Sequence, residues 1–265
     1  NGELVTLEQR QVATFGPDTP APDPTPLGPP VRERVLPAHD AFCMPDELRR
    51  SGRLVIDPAS PPDFLTSKGA TPAEVATAVE QVRKLVVDWV EASERAGDAS
   101  LAQEVVCVGL FDDVKGANSM AVGGNWLLVG IRDLYTMYGV HGGDGLGAVE
   151  FTVGHELGHI LQQKAGMVFP GPTVRGAEVH ADCMAGYLMG IAVPPGTTSP
   201  AQAYARTEVH RVGDRAVDNP GHHGTPEERT TAFERGWAAG SIAQQGSQGL
   251  QQTTTMLKVC SLFAP

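Results

Sequence analysis

The chain has 265 residues, 41% of them apolar and 19% charged, an ordinary balance for a globular protein with a sizeable core. Its 31 acidic and 20 basic residues leave a formal net charge of −11, which disfavours nucleic acid and anionic membrane as partners. No stretch is long and apolar enough to cross a bilayer as a helix, and no internal repeat occurs.

Residues 1–40 contain Pro17, Pro20, Pro22, Pro24, Pro26, Pro29 and Pro30 and read as an irregular, extended N-terminal arm. Asn1 stands where an initiator methionine would, so a mature or trimmed N-terminus is expected, and with it a secreted or cell-envelope location. The ordered body is expected over residues 41–265. Thr71, Pro72 and Glu74 form a capping box with proline at the first helical position, and Val75, Val79, Val82, Leu85, Val86 and Val90 continue the helical period towards Gly97. Residues 104–111 and 125–131, rich in Val and Leu and bounded by Gly or Asn, are predicted strands. The glycine-rich stretch 135–147 is expected to be a mobile rim.

The run from Leu146 to Leu161 has apolar residues at helical spacing and carries the sequence His155-Glu156-Leu157-Gly158-His159. On a helix the two imidazoles fall one turn apart on one face, where both can bind a single ion. Glu156 beside them is placed to take a proton from metal-activated water. A buried glutamate on an apolar helix is costly unless it has a partner or a metal nearby. Gly154 and Gly158, each costing about 1 kcal/mol against alanine within a helix, indicate that another element packs closely there.

A hydrolytic metal site takes three protein ligands and leaves a position for water. Downstream, Glu178 and Asp182 are four residues apart and share a helix face. Glu178 is assigned to the metal, and Asp182 to the free N–H of one of the ligand histidines. His180 projects elsewhere, as a structural or exposed residue or an alternative ligand.

Ser199-Pro200 and Thr225-Pro226 with Glu228 mark helix starts, predicting helices near 200–217 and 226–239. The Pro/Gly loop 218–225 between them holds His222 and His223, candidates for stabilising an oxyanion, with Tyr187 and Tyr204 as phenolic alternatives. Residues 241–262 reach Met256, Leu257, Val259 and Leu262 and are expected to dock as a last helix. The four cysteines contain no C-x-x-C pair. The pairing expected among the three connectivities is Cys43–Cys107 with Cys183–Cys260.

These blocks together resemble the bacterial neutral zinc metallopeptidase family, of gluzincin type. H-E-x-x-H is followed by E-x-x-x-D; the stretch from Glu178 to Gly186 is similar to the family's E-L-Q-A-D-C-x-A-G; and His223-Gly224-Thr225 with Arg229, then Phe233 to Trp237, is similar to its H-G-T/S-x-x-x-R and aromatic block. The resemblance covers residues 150–238, about a third of the chain, in the family's order. Ile160 departs from it, where the family often has a second histidine. Gln162 and Ala165 exclude the metzincin pattern, which needs glycine and histidine there. A cysteine-ligated site using Cys107 fits less well than a buried strand.

The resemblance implies an α+β, zincin-like fold: a small, mostly antiparallel sheet above the active-site helix, with further helices behind. It implies a zinc peptidase, with Zn2+ held by His155, His159 and Glu178. Glu156 would be general base and His223, opening the third block, the oxyanion residue. By analogy with zincin clefts, Trp126, Leu127, Leu128, Val129 and Gly130 would form the edge strand that binds substrate main chain. The competing expectation is a zinc-stabilised, catalytically silent binding or assembly protein attached through its arm. The expected partner is a peptide or protein substrate, with a cell-envelope or assembly partner for the arm.

Overall fold

The computed structural model describes residues 82, 84–86, 88, 89, 107–111, 119–122, 126–134, 137, 146–193, 199–246 and 256–262. The expected arm, the capping box at Thr71, Cys43 and most of the glycine-rich rim lie outside the described residues. The described part is mostly helical with one small sheet, an α+β arrangement.

Three strands, β1 (Cys107–Phe111), β2 (Met120–Val122) and β3 (Trp126–Gly130), form a sheet in the order β1-β3-β2. The sheet is mixed, which corrects the expected mostly antiparallel one: β1 and β3 pair in parallel over five residues, and β2 pairs antiparallel with β3 over three. β2 escapes sequence reading because three residues are too few to show alternation. Leu127 and Val129 point into the main core while Leu128 faces the other way, and all three are fully buried. A strand covered on both faces reads as this continuous apolar run.

Five helices follow: α1 (Leu146–Lys164), α2 (Arg175–Ala192), α3 (Pro200–Val212), α4 (Pro226–Gly246) and α5 (Met256–Ser261). α1 ends where Gly166 turns to φ 61°, with the Gly166 N–H donating to Gln163 and the Met167 N–H to Gln162. That is the double-bonded C-cap that glycine makes at low cost. α4 starts with the predicted capping box: Thr225 N–H donates to Glu228 and Glu228 N–H to the Thr225 hydroxyl. Upstream, the helical residues Val82, Val86 and Trp89 are buried in the core, as expected of a scaffold helix.

Small residues set how closely the helices approach. A Cβ on Gly154 would lie 3.1 Å from the Cα of Ala185, and one on Gly158 3.2 Å from the Cα of Ala181, so α1 and α2 run antiparallel along a Gly/Ala seam. The neighbour implied by Gly154 and Gly158 is therefore α2. The seam between α2 and α4 is tighter. A Cβ on Gly186 or Gly190 would meet the carbonyls of Phe233 or Trp237 at 2.1 and 2.3 Å. One on Gly236 or Gly240 would meet those of Cys183 or Tyr187 at 1.9 and 2.2 Å. These pairings advance in the same direction on both helices, which therefore lie parallel, backbone against backbone. Met256 and Cys260 of α5 are buried, and Cys260 is disulfide-bonded to Cys183 of α2, as expected.

Candidate metal centre

α1 places His155 and His159 with ring centroids 4.6 Å apart and their Nε2 atoms at 3.0 Å. Across the Gly/Ala seam, α2 brings the Glu178 carboxylate to 3.2 Å from His155 Nε2 and 3.4 Å from His159 Nε2. These three residues form the metal-competent group among the described residues. Ligand atoms about 2.0–2.1 Å from a tetrahedral zinc stand about 3.3–3.4 Å from one another. The observed separations are close to that edge length.

The outer nitrogens show why the inner ones converge. His155 Nδ1 lies 2.9 Å from Asp182 Oδ1, and His159 Nδ1 lies 2.9 Å from Gln162 Oε1. Donation of Nδ1–H to each oxygen leaves the Nε2 atoms facing one another and a carboxylate, an arrangement that calls for a proton or a metal cation between them. The residues thus fit a divalent metal with affinity for imidazole and carboxylate.

Charge supports the same fit. Glu156 and Asp182 are buried, Glu178 is nearly so, and among the described residues the guanidinium that bonds to this group is that of Arg229, 4% exposed. Arg229 donates from Nε and Nη2 to Asp182 at 2.7 and 2.8 Å and from Nη1 to the Val212 carbonyl at 3.1 Å, with Glu178 3.7 Å away. Burial opposes ionisation of Asp182, but the charge and hydrogen bonds of Arg229, with those of His155, hold its carboxyl below the usual range. Burial likewise opposes charging of His155, yet Asp182 and Glu178 push it up to about 10. The same imidazoles outweigh burial at Glu178 and draw its carboxyl well below the usual range. A site that pulls this strongly for positive charge suits a cation.

Glu156 is 9% exposed and makes no hydrogen bond or ion pair with a described residue. It lies within the field of Arg229.

The structure separates the remaining candidates from this group. His180 is fully buried rather than exposed, with Nδ1 3.1 Å from Gln162 Nε2 and its ring 5.3 Å from that of Phe169. Burial lowers its pKa to about 4, keeping it neutral. His222 and His223 both turn to Asp214: His222 Nδ1 is 2.6 Å from it, and His223 donates its backbone N–H at 2.9 Å while its half-exposed ring stands 3.5 Å away. Neither ring bonds to a member of the metal group. Gly224, at φ 105°, nevertheless packs this loop against Arg229, Val179 and Arg175, beside the site. Tyr187 lies in the hydrophobic core, and Tyr204 is half-buried on α3.

The expected edge strand lies inside the described sheet instead. Trp126, Leu127, Leu128, Val129 and Gly130 form the central strand, with β1 on one side and β2 on the other, so no open edge remains there for a peptide over 126–128. The unpaired edges among the described strands belong to β1 and β2. A cavity of about 950 Å³ between α3 and α4, lined by Arg206, His210, Glu227 and Glu234, contains none of the metal group.

Two residues were missed by sequence reasoning. Arg229 belongs to the third family-like block, but no spacing rule links it to Asp182, 47 positions earlier. Gln162 lies three residues after His159 on the same helix, but nothing in the sequence marks its amide as the partner of His159 Nδ1. Compared with known proteins, the chain matches no protein family, no curated protein and no solved structure. The family resemblance therefore rests on the three sequence blocks.

Proposed function

We propose that this protein is a zinc-dependent peptidase of gluzincin type with a zincin-like fold, in which His155, His159 and Glu178 hold the ion. The observation that carries this reading is the convergence of two Nε2 atoms and a carboxylate within 3.4 Å, with both Nδ1 atoms already occupied. Zinc held there supplies Lewis acidity, polarising a substrate carbonyl and acidifying water. Glu156 accepts the proton of the attacking water and delivers it to the leaving amine. Asp182 keeps His155 presenting Nε2, and Arg229 keeps Asp182 ionised. His223, on the loop that Gly224 packs against Arg229, is the residue proposed to steady the oxyanion once substrate is bound. The Cys183–Cys260 disulfide supports an oxidising location, secreted or in the cell envelope.

Metal analysis with a peptide-library assay tests the reading. One zinc per chain is expected in the wild type and none in His159→Ala. Glu156→Gln is expected to keep zinc and lose roughly 10²–10⁴ in cleavage rate. Unchanged cleavage by that variant would remove Glu156 as base. If zinc is bound and no peptide is cleaved by the wild type, the catalytically silent binding protein is the better reading.

A further inference from the structure

We propose that Gln162 is the positioning residue for His159, held in its working orientation by the Ala177 carbonyl and by His180 on α2. This rests on the metal-site reading above. A histidine that binds metal through Nε2 must carry its proton on Nδ1, and a buried N–H needs an acceptor. For His155 the acceptor is the charged Asp182, whereas for His159 it is a neutral amide.

An amide side chain offers oxygen at one end and nitrogen at the other, so its orientation decides whether it supports or opposes this tautomer. Here the other end of Gln162 lies 2.8 Å from the Ala177 carbonyl, which can only accept. Reversing the amide would set two oxygens against each other there, and an N–H against the N–H of His159. The second hydrogen of the same nitrogen is directed at His180 Nδ1, 3.1 Å away. Gln162 is 5% exposed, so solvent does not substitute for these partners.

His180 is fixed in turn. Its ring is fully buried beside Phe169 with the Leu257 backbone of α5 near it, and its Nε2 has no hydrogen-bond partner among the described residues. The disulfide to Cys183 fastens α5 in that place. The two ligand histidines are thus oriented from different directions: His155 by the α2–α4 ion pair, and His159 by an amide locked to α2 under the tail helix.

The test compares wild type, Gln162→Met, which keeps the volume without the acceptor, and Gln162→Glu, which keeps an acceptor towards His159. Zinc affinity is read by chelator competition on metal-free protein, with the thermal midpoint of each metal-free form as control. Gln162→Met is expected to bind zinc about 10- to 100-fold more weakly, and Gln162→Glu to recover only part of that loss, because its second oxygen faces the Ala177 carbonyl. A lowered midpoint with wild-type zinc affinity in Gln162→Met means a merely structural residue and overturns the proposal. If Gln162→Met does not fold, Gln162→Leu, of similar volume and also without an acceptor, decides: a roughly tenfold or greater loss of zinc affinity supports the proposal, and affinity near wild type overturns it. Wild type that binds no zinc overturns the metal site itself and this proposal with it, whereas zinc-binding wild type with unaffected variants overturns this proposal alone.

Discussion

Arg229 grips Asp182 with two hydrogen bonds of 2.7 and 2.8 Å across the α2–α4 seam, and the same carboxylate receives His155 Nδ1 at 2.9 Å. Removing the guanidinium leaves a fully buried carboxylate without its countercharge. Breaking one side of a buried pair typically costs about 3–5 kcal/mol. Arg229→Met is therefore expected to lower the urea midpoint of the metal-free protein by a corresponding amount. Zinc affinity should fall about 10- to 100-fold, because His155 loses a well-oriented partner. Unchanged affinity in the folded variant would confine Arg229 to stability.

The glycine seam between α2 and α4 carries that ion pair. In Gly236→Ala the new Cβ would stand 1.9 Å from the Cys183 carbonyl, and a backbone atom has no rotamer to move aside. The helices must separate, at a cost of about 3 kcal/mol or more. Gly158→Ala meets Ala181 at 3.2 Å and gains about 1 kcal/mol in helix propensity, so its net effect should stay within about 1 kcal/mol of wild type. Equal melting temperatures for the two variants would contradict this ranking.

The Cys183–Cys260 disulfide closes a loop of 77 residues. In the chain-entropy picture such a loop is worth about 4 kcal/mol. Cys260→Ser should lose a large part of that in denaturant unfolding. It should also raise hydrogen exchange in α5 before α2, since α5 has only six residues.

Glu150 on α1 supplies a pH dependence distinct from the metal site. Burial pushes its pKa up to about 7, and it makes no hydrogen bond or ion pair with a described residue. A carboxyl raised in the folded state is harmless below its unfolded value near 4.5, and its cost grows between pH 4.5 and 7 and stays constant above. Glu150→Gln should therefore stabilise the protein at pH 8 by about 1–3 kcal/mol, allowing for residual solvent contact, and have little effect at pH 4. Stabilisation of equal size at both values would exclude burial of the charge as the cause.

The sequence by itself determined the parts whose signals are local. Helical spacing put His155 and His159 on one face with Glu156 beside them, and the same rule paired Glu178 with Asp182; Thr225 and Glu228 announced the start of α4, and Val and Leu runs marked β1 and β3. Only the tertiary structure decided what depends on partners distant along the chain. Strand order is one case, since the pattern of residues 126–130 is that of any buried strand and β2 is too short to read, so β3 became central rather than an edge. The orientation of each imidazole is the other. It depends on which oxygen meets Nδ1, and that follows from two helix seams, Gly154 and Gly158 against Ala185 and Ala181, and Gly236 against Cys183. Close backbone approach is a property of two surfaces meeting, which the spacing of residues along one strand of sequence does not specify.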